Sequence, residues 1–214
     1  STNNELGPVE LFLYRTQAMD VEVIKSLIIY LLDPSLPKIS EERIINALTH
    51  IESWLVRRTL MRATTKGFTR FIAQLITELL RGDRLASDEL IESYLASQVA
   101  ESTYWPDDVQ IIDQIRDFRM YKLIRGPRTR MILEALEDDA RGYTRTRSGS
   151  SEQRCTRDTL TLEHIMPQSW EANWALGVGE TNDERNRTIQ YLGNLTLLTT
   201  KLNIQVSNGS WLGT

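Results

Sequence analysis

Apolar residues recur every three or four positions through most of residues 1–145, which is the spacing of a helix that buries one face. The clearest face consists of Val21, Ile24, Leu27, Ile28, Leu31 and Leu32, and Asp33-Pro34 ends that helix. A longer helix is predicted from Ser40, a good N-cap residue. The same spacing predicts helices at 69–82, at 87–95 with Ser87 as N-cap, at 107–118 and at 127–142. No repeat of constant period is present, so we expect a helical array and not a solenoid.

The pattern changes at residues 147–151, a small polar stretch that is typical of a linker. We therefore place a domain boundary there. The prediction is a helical domain at 1–147, suited to docking DNA or a sensor domain, and a second domain at 148–214.

The second domain has the pattern of two strands and a helix. Residues 159–162 alternate polar and apolar side chains like a half-buried strand that ends before Pro167, and a second strand is predicted at 191–198. A loop joins the strands, and a helix is predicted at 199–208. The fold class is therefore predicted to be mainly α, with a helical N-terminal domain followed by a small α+β domain.

Composition excludes several classes of protein. The longest uninterrupted apolar run, Leu27–Leu32, is far shorter than the roughly 20 residues that cross a bilayer, and no secretion signal is present. We therefore expect a cytoplasmic protein without a membrane partner. A single Cys155 excludes an internal disulfide, and His50 and His164 are too few for a multi-histidine metal cage. Because the chain begins at Ser1 without a methionine, we expect a fragment of a longer protein.

The net charge of −4 hides a strong segregation of charge. Residues 57–84 carry seven basic and two acidic side chains, whereas residues 85–113 carry seven acidic side chains and no Lys or Arg. Residues 116–147 are again basic, nine against five. One hypothesis is that a basic group lines a track for DNA phosphates, and the candidates are Arg57, Arg58, Arg62, Lys66 and Arg70, or the group 116–130. The alternative is a solvated helix face that pairs with the acidic segment.

Four polar residues carry the candidate chemistry. Glu163 and His164 end the first predicted strand, and alternation points them to opposite faces unless the strand bends. Taken alone, such a pair is typical of a solvent-exposed strand end. Asn194 lies in an otherwise apolar predicted strand, so its amide needs a hydrogen-bonding reason. Asn203, nine residues later, lies near the start of a predicted helix, where its carbonyl oxygen can be offered to a hard cation.

The strings LEHIMPQ at 162–168 and LGNLTLL at 192–198, together with Leu202-Asn203 and Ser207-Asn208, resemble the HNH, or ββα-metal, nuclease domain. The most similar version is the C-terminal domain of GmrSD-type modification-dependent restriction endonucleases and their SspE-type relatives. A weaker similarity, at residues 51–58 and 65–68, is to the helical region that precedes the nuclease domain in such proteins.

This resemblance implies a metal-dependent DNA endonuclease that nicks or cleaves foreign DNA, such as phage DNA, in a restriction or antiviral defence system. His164 would be the general base, since its ordinary pKa of about 6.5 leaves it mostly neutral at pH 7. Glu163 and Asn203 would bind one Mg²⁺ or Mn²⁺ ion, and Asn208 would be a further ligand or a helix cap. Asn194 would hold His164 in its catalytic orientation.

The resemblance also implies partners. Arg185, Arg187 and Lys201 lie near the motif in sequence and are candidates for binding DNA phosphates, although a solvated surface explains each of them equally well. A nucleotide-hydrolysing sensor domain would precede the helical region, and no such segment is visible here. Related domains continue past the position where this chain ends. The alternative function is therefore a catalytically inactive nucleic-acid-binding or interaction module.

Overall fold

The computed structural model describes residues 6–142 and 157–206. The chain forms two compact units, one of which spans Leu6–Ile112 while the other contains the described residues from Asp113 onwards. The division falls within a single helix. The predicted boundary between residues 147 and 148 lies outside the described residues and stays a prediction.

The Leu6–Ile112 unit is helical, as predicted. Its helices are α1 (Pro8–Ala18), α2 (Ile24–Leu31), α3 (Glu41–Leu60), α4 (Phe68–Arg81), α5 (Ser87–Ala96) and the first half of α6 (Asp108–Arg116). Ser40 caps α3 as predicted, since its hydroxyl accepts a hydrogen bond from the N–H of Arg43 at 3.3 Å. The predicted cap at Ser87 is wrong: Ser87 is the first residue inside α5, and its hydroxyl donates to the carbonyl of Arg84. The sequence pattern did not reveal α1.

An aromatic cluster forms the centre of this unit. The fully buried indole of Trp54 on α3 lies 4.8 Å from the ring of Phe68 and 4.9 Å from the ring of Phe71, measured between centroids. Its Nε1 donates a hydrogen bond to the carbonyl of Thr103 at 2.8 Å. The periodic apolar face of α3 is therefore the face that packs into the core.

The second unit combines helices with one two-stranded sheet. Its elements are the second half of α6, α7 (Met120–Leu123), α8 (Gly126–Ala140), β1 (Leu160–His164), α9 (Asn182–Thr188), β2 (Leu195–Thr199) and α10 (Thr200–Val206). The strands are antiparallel, with Leu160 opposite Thr199 and His164 opposite Leu195. Both α8 and α10 pack against both strands. This arrangement confirms a mainly α chain with a small α+β region.

Two details differ from the prediction. The connection between the strands contains α9, which begins with a capping box: the Thr181 hydroxyl accepts from the N–H of Glu184, whose carboxylate accepts from the N–H of Thr181. The second strand begins at Leu195, later than predicted, because a 3₁₀ turn at Leu192–Asn194 precedes it. Asn194 therefore stands at the entrance to β2 and not inside it.

A buried ion cluster fastens the start of β1 to α8. The Arg157 guanidinium donates to Glu134 at 2.9 Å and to Asp138 at 2.5 Å, and the Glu134 side chain is only 2% exposed. Arg130 also donates to Glu134, at 2.9 Å. The two carboxylates hold the pKa of Arg157 above its usual value, against the effect of its burial.

Among the helices of the described residues, none combines the length and the apolar character that a membrane span requires.

Candidate active site

Glu163 and His164, the last two residues of β1, contact different parts of the unit. The Glu163 carboxylate accepts a hydrogen bond from Nδ2 of Asn203 on α10, with 2.5 Å between Oε1 and Nδ2. The His164 ring instead meets the ring of Tyr121 on α7 edge-on, with centroids 4.3 Å apart. This is the alternation expected of adjacent strand residues. The structure therefore brings Glu163 and Asn203 together and gives His164 a separate set of neighbours.

The Glu163 and Asn203 pair has the chemistry of half a cation site. The oxygen and nitrogen of a side-chain amide exchange places when the group turns by half a rotation, so the same contact can present two oxygens from β1 and α10. Carboxylate and amide oxygens suit Mg²⁺ and Mn²⁺, which keep several waters or substrate oxygens as ligands. Among the described residues, no group of three or more His, Cys, Asp or Glu side chains is placed to hold a metal ion. The predicted ligand Asn208 lies outside the described residues.

The environment of His164 favours a neutral imidazole. The side chain is half-buried, and its Nε2 is buried without a hydrogen-bond partner in the described structure. Burial lowers the pKa of His164, the positive charge of Lys122 lowers it further, and a polar contact with Gln190 acts in the opposite direction. Gln190 is itself only 4% exposed, and its Oε1 also lacks a partner. A neutral ring with an unpaired nitrogen is able to accept a proton from a bound molecule.

Asn194 fixes the backbone that follows His164. Its Oδ1 accepts from the N–H of Met166 at 2.9 Å, and its Nδ2 donates to the carbonyls of Met166 at 3.0 Å and Ile189 at 2.9 Å. Its own carbonyl accepts from the N–H of Ile165 at 2.9 Å. One amide thus joins the end of β1, the end of α9 and the start of β2. These bonds are the reason for a polar residue at this apolar position.

The surroundings of His164 also include residues that no sequence signal marked. The N–H of Tyr121 donates to the carbonyl of Gln190 at 3.1 Å, which joins the segment before α8 to the segment after α9. Neither residue belongs to a recognisable motif, because both reach His164 through tertiary packing. The Thr181 and Glu184 capping box is the one signal that could have predicted α9, and with it the position of Gln190.

The three arginine and lysine candidates near the motif differ in placement. Arg185 is buried and bound on several sides: it makes a two-pronged ion pair with Glu180, donates to the carbonyl of Ala175 at 3.3 Å, and lies over the Trp170 ring at 5.2 Å. This pairing raises the pKa of Arg185 and lowers that of Glu180 to about 2. Arg185 is therefore placed to support the loop between the strands. Arg187 and Lys201 are exposed.

In the helical unit, two of the five candidates for DNA binding are engaged with the acidic segment at 85–113. Arg58 is 2% exposed and donates to the carbonyls of Thr64, Glu101 and Tyr104. Arg57 pairs with Asp108 and donates to the carbonyl of Pro106. These contacts favour the alternative in which the basic face pairs with residues 85–113. The other three candidates, Arg62, Lys66 and Arg70, are exposed.

Comparison with known families gives one match. The model of the C-terminal domain of GmrSD restriction endonucleases matches residues 105–214, just over half of the chain. The matched range contains β1, β2 and α10 and every residue around His164 described above. The searches of curated proteins and of solved structures found no match.

Proposed function

Because the chain belongs to the GmrSD restriction endonuclease family, through the C-terminal domain at residues 105–214, we propose that this domain is an HNH-type, metal-dependent endonuclease. The family itself gives a nuclease role and DNA as the substrate. The HNH type, the base and the cation are the parts that we add. The observation that carries them is the contact between Glu163 on β1 and Asn203 on α10, one residue away from His164.

In the proposed reaction, His164 accepts the proton of the attacking water. The unpaired Nε2 supports this role, because no other group of the described structure occupies it by a hydrogen bond. Burial and the charge of Lys122 keep the ring neutral and ready to accept. Tyr121 and Gln190 limit the rotation of the ring, and Asn194 holds the backbone immediately after it.

Glu163 and Asn203 would hold one Mg²⁺ or Mn²⁺ ion, which supplies positive charge to the phosphate oxygens when it is bound. Both residues fit this role, since their polar atoms already meet between the strand and the helix. Glu163 and His164 lie at the same end of β1. A phosphate at that end of the strand can therefore be reached by the Glu163 side chain from one face of the strand and by the His164 side chain from the other. Asn208 remains a proposed further ligand.

The second candidate function is an inactive module that binds nucleic acid or another protein. It is favoured by the small number of protein ligands, since the described residues offer one carboxylate and one amide and no larger metal cluster. A nucleotide-hydrolysing sensor domain and foreign DNA as the target stay predictions from the resemblance, and a cytoplasmic setting stays a prediction from composition.

A plasmid assay separates the two functions. The chain is incubated with supercoiled plasmid in EDTA, Mg²⁺, Mn²⁺ or Ca²⁺, and nicked and linear products are quantified. An endonuclease produces them with Mg²⁺ or Mn²⁺ and not in EDTA, and Glu163→Gln abolishes them while the exposed Glu171→Gln does not. Retention of plasmid by a chain that cuts under none of these conditions supports the inactive binding module.

A further inference from the structure

A second polar site lies on the two segments that also carry Tyr121 and Gln190. A cavity of about 410 Å³ is lined by Asp117, Arg119, Arg187 and Tyr191. Arg119 lies just before α7, and Arg187 lies on α9. Both arginines are exposed, and neither guanidinium has a hydrogen bond or an ion pair with another residue of the described structure. In this they differ from Arg185, whose donors are occupied by its neighbours.

The two arginines stand on the same two segments that hold His164. Tyr121, which contacts the His164 ring, follows Arg119 by two residues, and Gln190 follows Arg187 by three. The hydrogen bond from the Tyr121 N–H to the Gln190 carbonyl ties these segments together. Buried neighbours anchor each of them, namely Phe118 on one side and Ile189 on the other. The cavity is therefore fixed in position relative to the proposed base.

The donor set suits a phosphodiester. Each guanidinium presents several N–H donors in a planar fork that matches phosphate oxygens, and Tyr191 adds a hydroxyl. The Asp117 carboxylate reduces the local charge to a net +1, which weakens the binding of any anion. A phosphate that belongs to a long polyanion is also held by the rest of the strand, so it tolerates this repulsion better than a free anion does.

We propose that the cavity of Asp117, Arg119, Arg187 and Tyr191 binds a backbone phosphate of the DNA strand next to the phosphate cleaved beside His164. The assignment rests on the proposed function, because it places a second part of the same substrate. The proposal also assigns Arg119 to the same phosphate site as Arg187, although the two arginines are far apart in the sequence.

The test is equilibrium binding of a short DNA duplex to the chain in EDTA, measured by fluorescence anisotropy at several salt concentrations. Arg119→Gln and Arg187→Gln should each weaken binding about tenfold and lower the salt slope by about 1. Asp117→Asn should act in the opposite direction and tighten binding, because it removes the repelling charge from the same cavity. The control is Arg81→Gln, an exposed arginine that pairs with Glu78 at 3.1 Å, belongs to neither basic candidate group and does not line the cavity.

Equal losses in Arg81→Gln, Arg119→Gln and Arg187→Gln would overturn the proposal, since they would reflect net charge alone. Weaker binding of Asp117→Asn would also overturn it. A free-anion site is tested by calorimetry with inorganic phosphate: binding that Arg119→Gln abolishes, without any change in duplex affinity, contradicts a DNA site. Because no cleavage occurs in EDTA, the outcome is separate from that of the plasmid assay. If Arg119→Gln and Arg187→Gln bind the duplex as the parent chain does, while plasmid cleavage still depends on His164, then the phosphate site is rejected and the proposed nuclease function stands.

Discussion

Asn203 on α10 donates a hydrogen bond to the Glu163 carboxylate on β1, 40 residues earlier in the chain, at 2.5 Å. The contact places the Asn203 amide beside the Glu163 carboxylate, where a bound cation would need a second oxygen ligand. A cation and an amide N–H are alternative partners for the same carboxylate, so exchange of one for the other is the simplest account of how the pair could work.

Asn203→Asp tests this account without measuring activity. In EDTA the new carboxylate repels Glu163, and we expect a loss of about 1 kcal/mol, which lowers Tm by roughly 2–4 °C. In Mn²⁺ the two carboxylates share the ion, so Tm should rise to or above that of the parent chain. The measurement is thermal unfolding followed by circular dichroism in both buffers. A Tm difference from the parent that is the same with and without Mn²⁺ would argue against a cation at this pair.

Asn194→Ala should destabilise the second unit and impair cleavage. The change leaves the N–H of Met166 and the carbonyls of Met166 and Ile189 without their partner, and we expect a loss of about 2–3 kcal/mol. Urea unfolding measures the stability, and plasmid nicking measures the rate. The control is Asn182→Ala, an exposed residue at the start of α9. Equal stability of the two variants would show that the Asn194 bonds do not hold the loop.

Glu180 and Arg185 should make the second unit sensitive to acid. The Arg185 guanidinium, followed by the N–H of Gly177, holds the pKa of Glu180 at about 2, below the ordinary 4.5. A depressed pKa in the folded state stabilises the fold fully above pH 4.5, and the contribution is lost as the pH falls from about 4.5 to about 2.

The check on this pair is the urea midpoint of the parent chain and of Glu180→Gln between pH 7 and pH 2. The variant should be less stable than the parent at pH 7, and the difference should shrink as the pH falls through that window. Glu171→Gln, at an exposed glutamate, should follow the parent throughout. A gap between parent and Glu180→Gln that stays constant down to pH 2 would rule out the ion pair as its source.

Arg157→Met should be among the most destabilising single changes in the second unit. It removes the cation that lies between the carboxylates of Glu134 and Asp138, so two buried negative charges lose a partner. The expected loss is about 3–5 kcal/mol, against about 0–1 kcal/mol for the exposed Arg116→Met. Chemical denaturation of both variants provides the comparison. A small effect of Arg157→Met would indicate that Arg130 alone satisfies Glu134.

The helices could be predicted because their signal is local. The apolar spacing of α2, α3, α4 and α8 reports directly which face is buried, and their structural bounds differ from the predicted ones only near the ends. Helix α9 has no apolar face of this kind, so only its capping box could have indicated it. The sheet was predicted from alternation, whereas the start of β2 was not, because the turn at Asn194 depends on bonds to a distant loop.

The candidate site divides in the same way. The motif residues Glu163, His164, Asn194 and Asn203 could be identified from the sequence because their spacing is that of a known domain. The neighbours Tyr121 and Gln190 could not, since they reach His164 only in the folded chain. The roles of basic residues were the least predictable. Arg58 and Arg185 are arginines in the expected places for DNA binding, yet their guanidinium groups are bound within their own units.

The most direct test of the endonuclease proposal is the rate of Mn²⁺-dependent plasmid nicking by His164→Ala, compared with His50→Ala as the matched control. Loss of a general base should slow nicking by about 100- to 10,000-fold, while duplex binding stays close to that of the parent chain. His50 contacts Glu92 and Trp105 in the helical unit, so its variant should nick at the parent rate. Nicking by His164→Ala at the parent rate would contradict the assignment of His164 as the base.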